Sequence, residues 1–142
     1  MTPSDAPPVV LYACIHNSGR SVAAKLLTEH YAKDRVDVRS AGSEPTDAVN
    51  REVTAVLSER GISTGSETPT RLTTGVVETA DVVVTMSCGE TCPVFPGKRY
   101  LDWDVDDPAG RDRETVRRIV DEIDGRVREL LWELGIDAPA DT

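Results

Sequence analysis

Eight consecutive residues, Cys14-Ile15-His16-Asn17-Ser18-Gly19-Arg20-Ser21, set a thiol six positions before a guanidinium, between an apolar run at Val9 to Ala13 and a helix-like run that begins at Ser21. A strand-to-helix loop of this kind gathers backbone N–H groups around one point, and the helix start adds about half a positive charge there. Arg20 can hold a tetrahedral oxyanion through two parallel N–H···O bonds. The field that binds the anion also favours thiolate over thiol at Cys14, so one stretch of backbone prepares both nucleophile and electrophile. Asn17, Ser18 and Gly19 suit a tight loop that leaves the usual α and β regions. Ser21 has two readings, a hydroxyl that donates to the thiolate or a plain helix cap. Without a preceding strand and a following helix, Cys14 would read as a small core hydrophobe.

Two further groups of residues carry potential chemistry. Cys88-Gly89-Glu90-Thr91-Cys92-Pro93 puts two thiols four apart in a segment broken by Gly and Pro. They read as a resolving pair, in which one attacks the Cys14 sulfur and the next takes over the disulfide. Half of a zinc site completed by Cys14 and His16, or two ordinary loop thiols, are the competing readings. Asp102-Trp103-Asp104-Val105-Asp106-Asp107-Pro108 is acidic, and most such runs are solvated surface. Asp107 stands apart because Pro108 restricts its backbone and so aims its carboxylate, as suits a proton donor or acceptor over the anion loop. A turn or capping role is the simpler alternative.

The elements that must position these groups alternate along the chain. Val9 to Ala13, Val36 to Ser40, Asp81 to Met86 and Arg99 to Trp103 read as strands, the third with three valines in a row as in a strand buried on both faces. Ser21 to about Lys33 and Asn50 to Arg60 read as helices, the first with Val22, Leu26, Leu27 and His30/Tyr31 on one face, the second ending at Gly61. A last helix carries Val116, Ile119, Val120, Ile123, Val127, Leu130, Leu131 and Leu134 as an amphipathic stripe. This pattern predicts an α/β fold, a three-layer sandwich around a central parallel sheet, with its ligand site at the carboxyl ends of the strands. Cys14 and the segment after Met86 both fall at such ends.

The 142 residues suit one domain, with a folded core over about residues 8 to 135 and loose ends rich in Pro, Ala and Asp. A formal charge of −9 and few aromatics argue against a nucleic-acid partner. No run approaches the roughly 20 apolar residues of a membrane span, and the N-terminus lacks the features of a secretory signal. A cytoplasmic location is expected, where three cysteines are reduced, reactive or metal-binding and not a disulfide framework.

Cys14 to Ser21, the Ser40-Ala41-Gly42 turn, the Cys88 loop and Asp107-Pro108-Ala109-Gly110 together resemble the arsenate reductases that share the low-molecular-weight tyrosine phosphatase fold. The resemblance implies that Cys14 attacks arsenate, that the loop and Arg20 hold the adduct, and that Asn17 and Ser21 shape the loop and stabilise the thiolate. It implies that Cys88 then attacks the Cys14 sulfur and expels arsenite. Cys92 would follow by attacking Cys88, leaving a Cys88–Cys92 disulfide for thioredoxin, with Asp107 as the acid. No bound cofactor or metal is expected, only an external reductant, and a monomer is expected.

Three details depart from that pattern or extend it. The two later thiols are closer in sequence than in thioredoxin-coupled relatives, and a helical pair at this spacing lies about 5–6 Å apart at Cβ, so their loop must be unwound to join them. A small thiol such as mycothiol or glutathione is the alternative resolving agent. Some relatives hold potassium under the loop, where Lys25, one helical turn after Ser21, could supply the charge. The rival enzyme is a tyrosine or aryl phosphatase using Cys14, Arg20 and Asp107, against which stand two thiols with no use in ester hydrolysis and no aromatic walls after Gly42 or Pro108. A non-enzymatic zinc or redox-sensor module ranks third.

Overall fold

Four strands lie side by side and all run in the same direction. In the computed structural model, which describes residues 7–65, 67–86 and 96–136, β1 (Val9–Cys14) is central, with β2 (Asp37–Gly42) on one side and β3 (Val82–Met86) on the other. Beyond β3 lies β4 (Arg99–Asp102), giving the order β2-β1-β3-β4. Cys88 and Cys92 lie outside the described residues. The register pairs Cys14 with both Gly42 and Met86, so three strands end at one level.

β1 is apolar throughout because both its faces are covered. Val10, Tyr12 and Cys14 join a large core with residues of α1 (Arg20–Ala32), α2 (Arg51–Glu59) and α4 (Arg113–Glu133). Leu11 and Ala13 join a smaller core on the other face, with Val77 of α3 (Thr74–Thr79) and Ala80. Helices therefore flank the parallel sheet on both sides, the three-layer α/β arrangement expected from the alternation. The larger core carries most of the fold's side-chain burial. Truncating its fully buried Leu27 to Ala would cost about 2–5 kcal/mol. Tyr12 is buried there with its hydroxyl 2.8 Å from Thr28 Oγ1. Since Thr28 spends its own proton on the Ala24 carbonyl, Tyr12 is the donor. Burial raises the Tyr12 phenol above its ordinary value and keeps it neutral.

The helix ends differ from expectation in ways that matter for the site. Gly19, without a side-chain cap, precedes α1, so Ser21 lies inside the first turn. Asn50 is not the first residue of α2 but its cap, its side-chain oxygen accepting from the Glu52 and Val53 N–H groups. The stripe of α4 is buried from Val116 to Leu131 as its spacing predicts. Of the His30/Tyr31 pair on that face of α1, Tyr31 is buried and His30 lies at the surface. The short α3 has no counterpart in the sequence reading. Its six residues include Gly and adjacent valines, a weak helix signal. Among the described residues no helix is long and apolar enough to cross a membrane.

Candidate active site

The anion loop, residues 14–21, takes its shape from the segment that follows β2. Ser43 N–H donates to the Cys14 carbonyl at 3.2 Å, Glu44 to Ile15 at 2.7 Å, Thr46 to His16 at 3.2 Å and Asn50 to Ser18 at 2.7 Å. Four loop carbonyls are thus turned outward onto one strap. Across a trans peptide the N–H lies on the opposite edge from the C=O, so the N–H groups of Ile15, His16, Asn17 and Gly19 turn toward the inside of the loop. One of these contacts is direct, Asn17 N–H to Cys14 Sγ at 3.3 Å. Gly42 makes the close approach possible. A β-carbon there would sit 2.6 Å from the Ile15 carbonyl oxygen and 2.8 Å from Asn17 N.

Asn17 is the hinge of the loop's polar network. It adopts φ 49°, a left-handed conformation that Asn tolerates better than most residues, and it is fully buried. Its Oδ1 accepts from Thr70 N–H at 2.7 Å, and a backbone N–H can only donate. The amide orientation follows. Nδ2 must face the other way, where it donates to Ser21 Oγ at 2.7 Å. Ser21 Oγ also lies 2.9 Å from Cys14 Sγ, a hydrogen bond in which either atom can donate. The helix-cap reading of Ser21 does not hold, since Gly19 precedes α1 and Ser21 sits in its first turn. Cys14 is 2% exposed, and the Asn17 N–H, the Ser21 hydroxyl and a helix start face its sulfur.

Arg20 is buried at the first position of α1, and its Nη1 donates to the Val105 carbonyl at 3.1 Å. That contact brings the acid loop, residues 103–112, against the anion loop. Trp103, Val105 and Pro108 point inward while Asp102, Asp104 and Asp106 are exposed, so most of the acidic run is solvated face. Asp107 differs. One carboxylate oxygen lies 3.7 Å from Arg20 Nη2, and the other accepts from Ala109 N–H at 3.0 Å. Its side chain is half exposed. The turn reading of Asp107 holds, and the turn contact leaves the other carboxylate oxygen facing the guanidinium.

Of the residues singled out in the sequence, Cys14, Ile15, His16, Asn17, Ser18, Gly19, Arg20, Ser21 and Asp107 come together here. His16 is half-buried with Nδ1 3.1 Å from the Glu44 carbonyl, so it braces the strap. Lys25 corrects an expectation. Its ammonium is 2.9 Å from both oxygens of Glu67, so it brings a neutralised pair and not a lone cation. Glu67 lies three residues before Thr70, the donor to Asn17. Thr70, Glu67, Val105 and the 43–50 strap were not foreseen. Gly42 at the end of a strand was the one sequence signal for the strap, and a backbone donor such as Thr70 N–H leaves none.

Comparison with known proteins gives a consistent set of relatives. The model of the family described as low molecular weight phosphotyrosine protein phosphatase matches residues 9–140. A putative arsenate reductase of Halobacterium salinarum is 34% identical over 131 residues, covering 89% of this chain and 92% of that protein. Among solved structures, a thioredoxin-dependent arsenate reductase of Corynebacterium glutamicum superposes with a TM-score of 0.83 at 44% identity. The match covers 93% of this chain but 64% of that one, so this chain spans less than two thirds of that relative. An arginine phosphatase of Geobacillus stearothermophilus superposes with a TM-score of 0.81 at 26% identity, covering 91% and 94% of the two chains. Relatives of this fold thus include both arsenate reductases and cysteine-based phosphatases.

Proposed function

Taking as premise that the chain belongs to the low-molecular-weight phosphotyrosine protein phosphatase family, we propose that it is an arsenate reductase whose nucleophile is Cys14. The observation that carries the reading is the hydrogen-bonded chain from Thr70 N–H through Asn17 and Ser21 to the Cys14 sulfur, inside a loop whose N–H groups face inward. A small tetrahedral oxyanion fits such a cup, and Arg20 caps it.

The thiolate of Cys14 attacks arsenic, forming a sulfur–arsenic bond as a hydroxyl leaves as water, with Asp107 supplying the proton. Cys88 then attacks the Cys14 sulfur. The sulfur–arsenic electron pair passes to arsenic, which departs as arsenite, and a Cys14–Cys88 disulfide forms. Cys92 attacks Cys88, freeing Cys14 as thiolate and leaving a Cys88–Cys92 disulfide for thioredoxin to reduce. Support for the relay comes from Met86, which pairs in register with Cys14 and stands two residues before Cys88 in the chain. Mycothiol or glutathione resolves the adduct if Cys92 takes no part. The relay calls for no bound cofactor or metal.

The second reading, phosphoester hydrolysis, is favoured by Asp107 beside Arg20, an acid placed where an ester oxygen would leave. One experiment separates the two. Arsenate-dependent NADPH oxidation, coupled through thioredoxin and its reductase, is measured beside aryl-phosphate hydrolysis for wild type, Cys14→Ser, Cys88→Ser and Cys92→Ser. All three substitutions are expected to abolish coupled turnover, and only Cys14→Ser to abolish hydrolysis. Full coupled activity of Cys88→Ser would overturn the relay.

A further inference from the structure

We propose that Gly19 is a positioning residue: its missing side chain is the socket that seats the ring of Pro108 and thereby sets Asp107 against Arg20. A β-carbon at Gly19 would lie 2.7 Å from Pro108 Cγ, 3.5 Å from Pro108 Cδ and 3.7 Å from Val53 Cγ2. The first distance is well inside the roughly 3.5 Å at which two carbons come to rest. Cγ of proline can shift only by a change of ring pucker, because the ring is closed onto its own backbone nitrogen. Pro108 is buried, and the residues on either side of it are tied together by the Ala109 N–H bond to Asp107 Oδ1. What a change of pucker leaves unrelieved falls on the backbone that carries Asp107. The neighbouring contact, Arg20 Nη1 to the Val105 carbonyl, holds the guanidinium still while the carboxylate shifts away from it.

The inference rests on Asp107 acting as a proton donor, and its test separates failure of that role from failure of the socket. Gly19→Ala, Pro108→Ala and the double variant are compared in two measurements. The first is thermal stability, which needs no activity. The clash predicts that Gly19→Ala is costly beside Pro108 and nearly harmless in the Pro108→Ala background. Additive effects would show that the cost belongs to Gly19's own backbone (φ −137°, ψ −84°) and would overturn the socket.

The second is aryl-phosphate hydrolysis across leaving groups of differing basicity. Gly19→Ala should lose about tenfold to a hundredfold more in kcat for poor leaving groups than for good ones. The double variant should recover part of that difference. Equal losses for all leaving groups would mean that the anion loop itself is distorted, and would overturn the inference. Wild type whose rate is indifferent to leaving-group basicity would remove Asp107 as the acid before any variant is made, and the proposal with it.

Discussion

The anion loop and the acid loop meet at Arg20 but are held by different means. The anion loop is braced by backbone: four carbonyls on the strap, Asn17 on a backbone N–H from 53 residues away, and Gly42 pressed against it. The acid loop is seated by a few side-chain contacts, namely Trp103 against Tyr12 at 5.6 Å between ring centroids, the Arg20 bond to Val105, and Pro108 on Gly19. Its carboxylate is half exposed. The proposed nucleophile is thus preorganised by backbone, and the proposed acid is placed by packing. Ion pairs between α2 and α4, Glu52 with Arg113 and Glu59 with Arg117, tie the helix that follows the strap to the helix that follows the acid loop.

Substitution can test each half of this contrast. The largest effect is expected where the loops meet. Arg20→Lys keeps a charge but loses the fork that binds both the oxyanion and Val105, and should lower kcat by about a hundred- to a thousandfold in either assay. A loss below tenfold would remove Arg20 from the chemistry. Asp107→Asn should then cost about a hundredfold on aryl phosphates with poor leaving groups. It should leave phosphate inhibition and Cys14 alkylation as they were, because the acid loop does not build the anion cup.

Ser21→Ala addresses the anion loop alone. It removes the hydroxyl 2.9 Å from Cys14 Sγ; a hydrogen bond from that hydroxyl to a thiolate would be worth about 1.5–3 kcal/mol, so alkylation of Cys14 by iodoacetamide at neutral pH should slow by about tenfold or more. An unchanged rate would show that the chain from Thr70 does not end on the sulfur. The smallest effect is at the far anchor. The Arg117 guanidinium beside Glu59 holds that carboxyl below its ordinary range. Its contribution is present above the ordinary Glu value near 4.3 and is lost as pH falls through the lowered value. The Tm advantage of wild type over Arg117→Ala should therefore shrink on acidification, and an advantage that grows in acid would contradict the pairing.

How much could be read in advance follows the same division. β1, β3 and α4 announce themselves because burial on two faces or along one stripe imposes a hydrophobic period. The Cys14–Arg20 spacing is local, and so is the Asp107-Pro108 turn. Thr70 N–H on Asn17, Glu67 on Lys25 and the Val105 carbonyl on Arg20 join residues 42 to 85 positions apart. Such contacts use backbone atoms or common charges, and they leave no periodicity or composition to find. Gly19 illustrates the gap. Its sequence context suggests a flexible loop, and its neighbour in space shows a seat for a ring.

Cys14 closes the middle strand of the sheet, bonded into a ladder on either side. A reagent mounted there has no arm on which to reach outward. Any sulfur that would share a bond with it has to come to it.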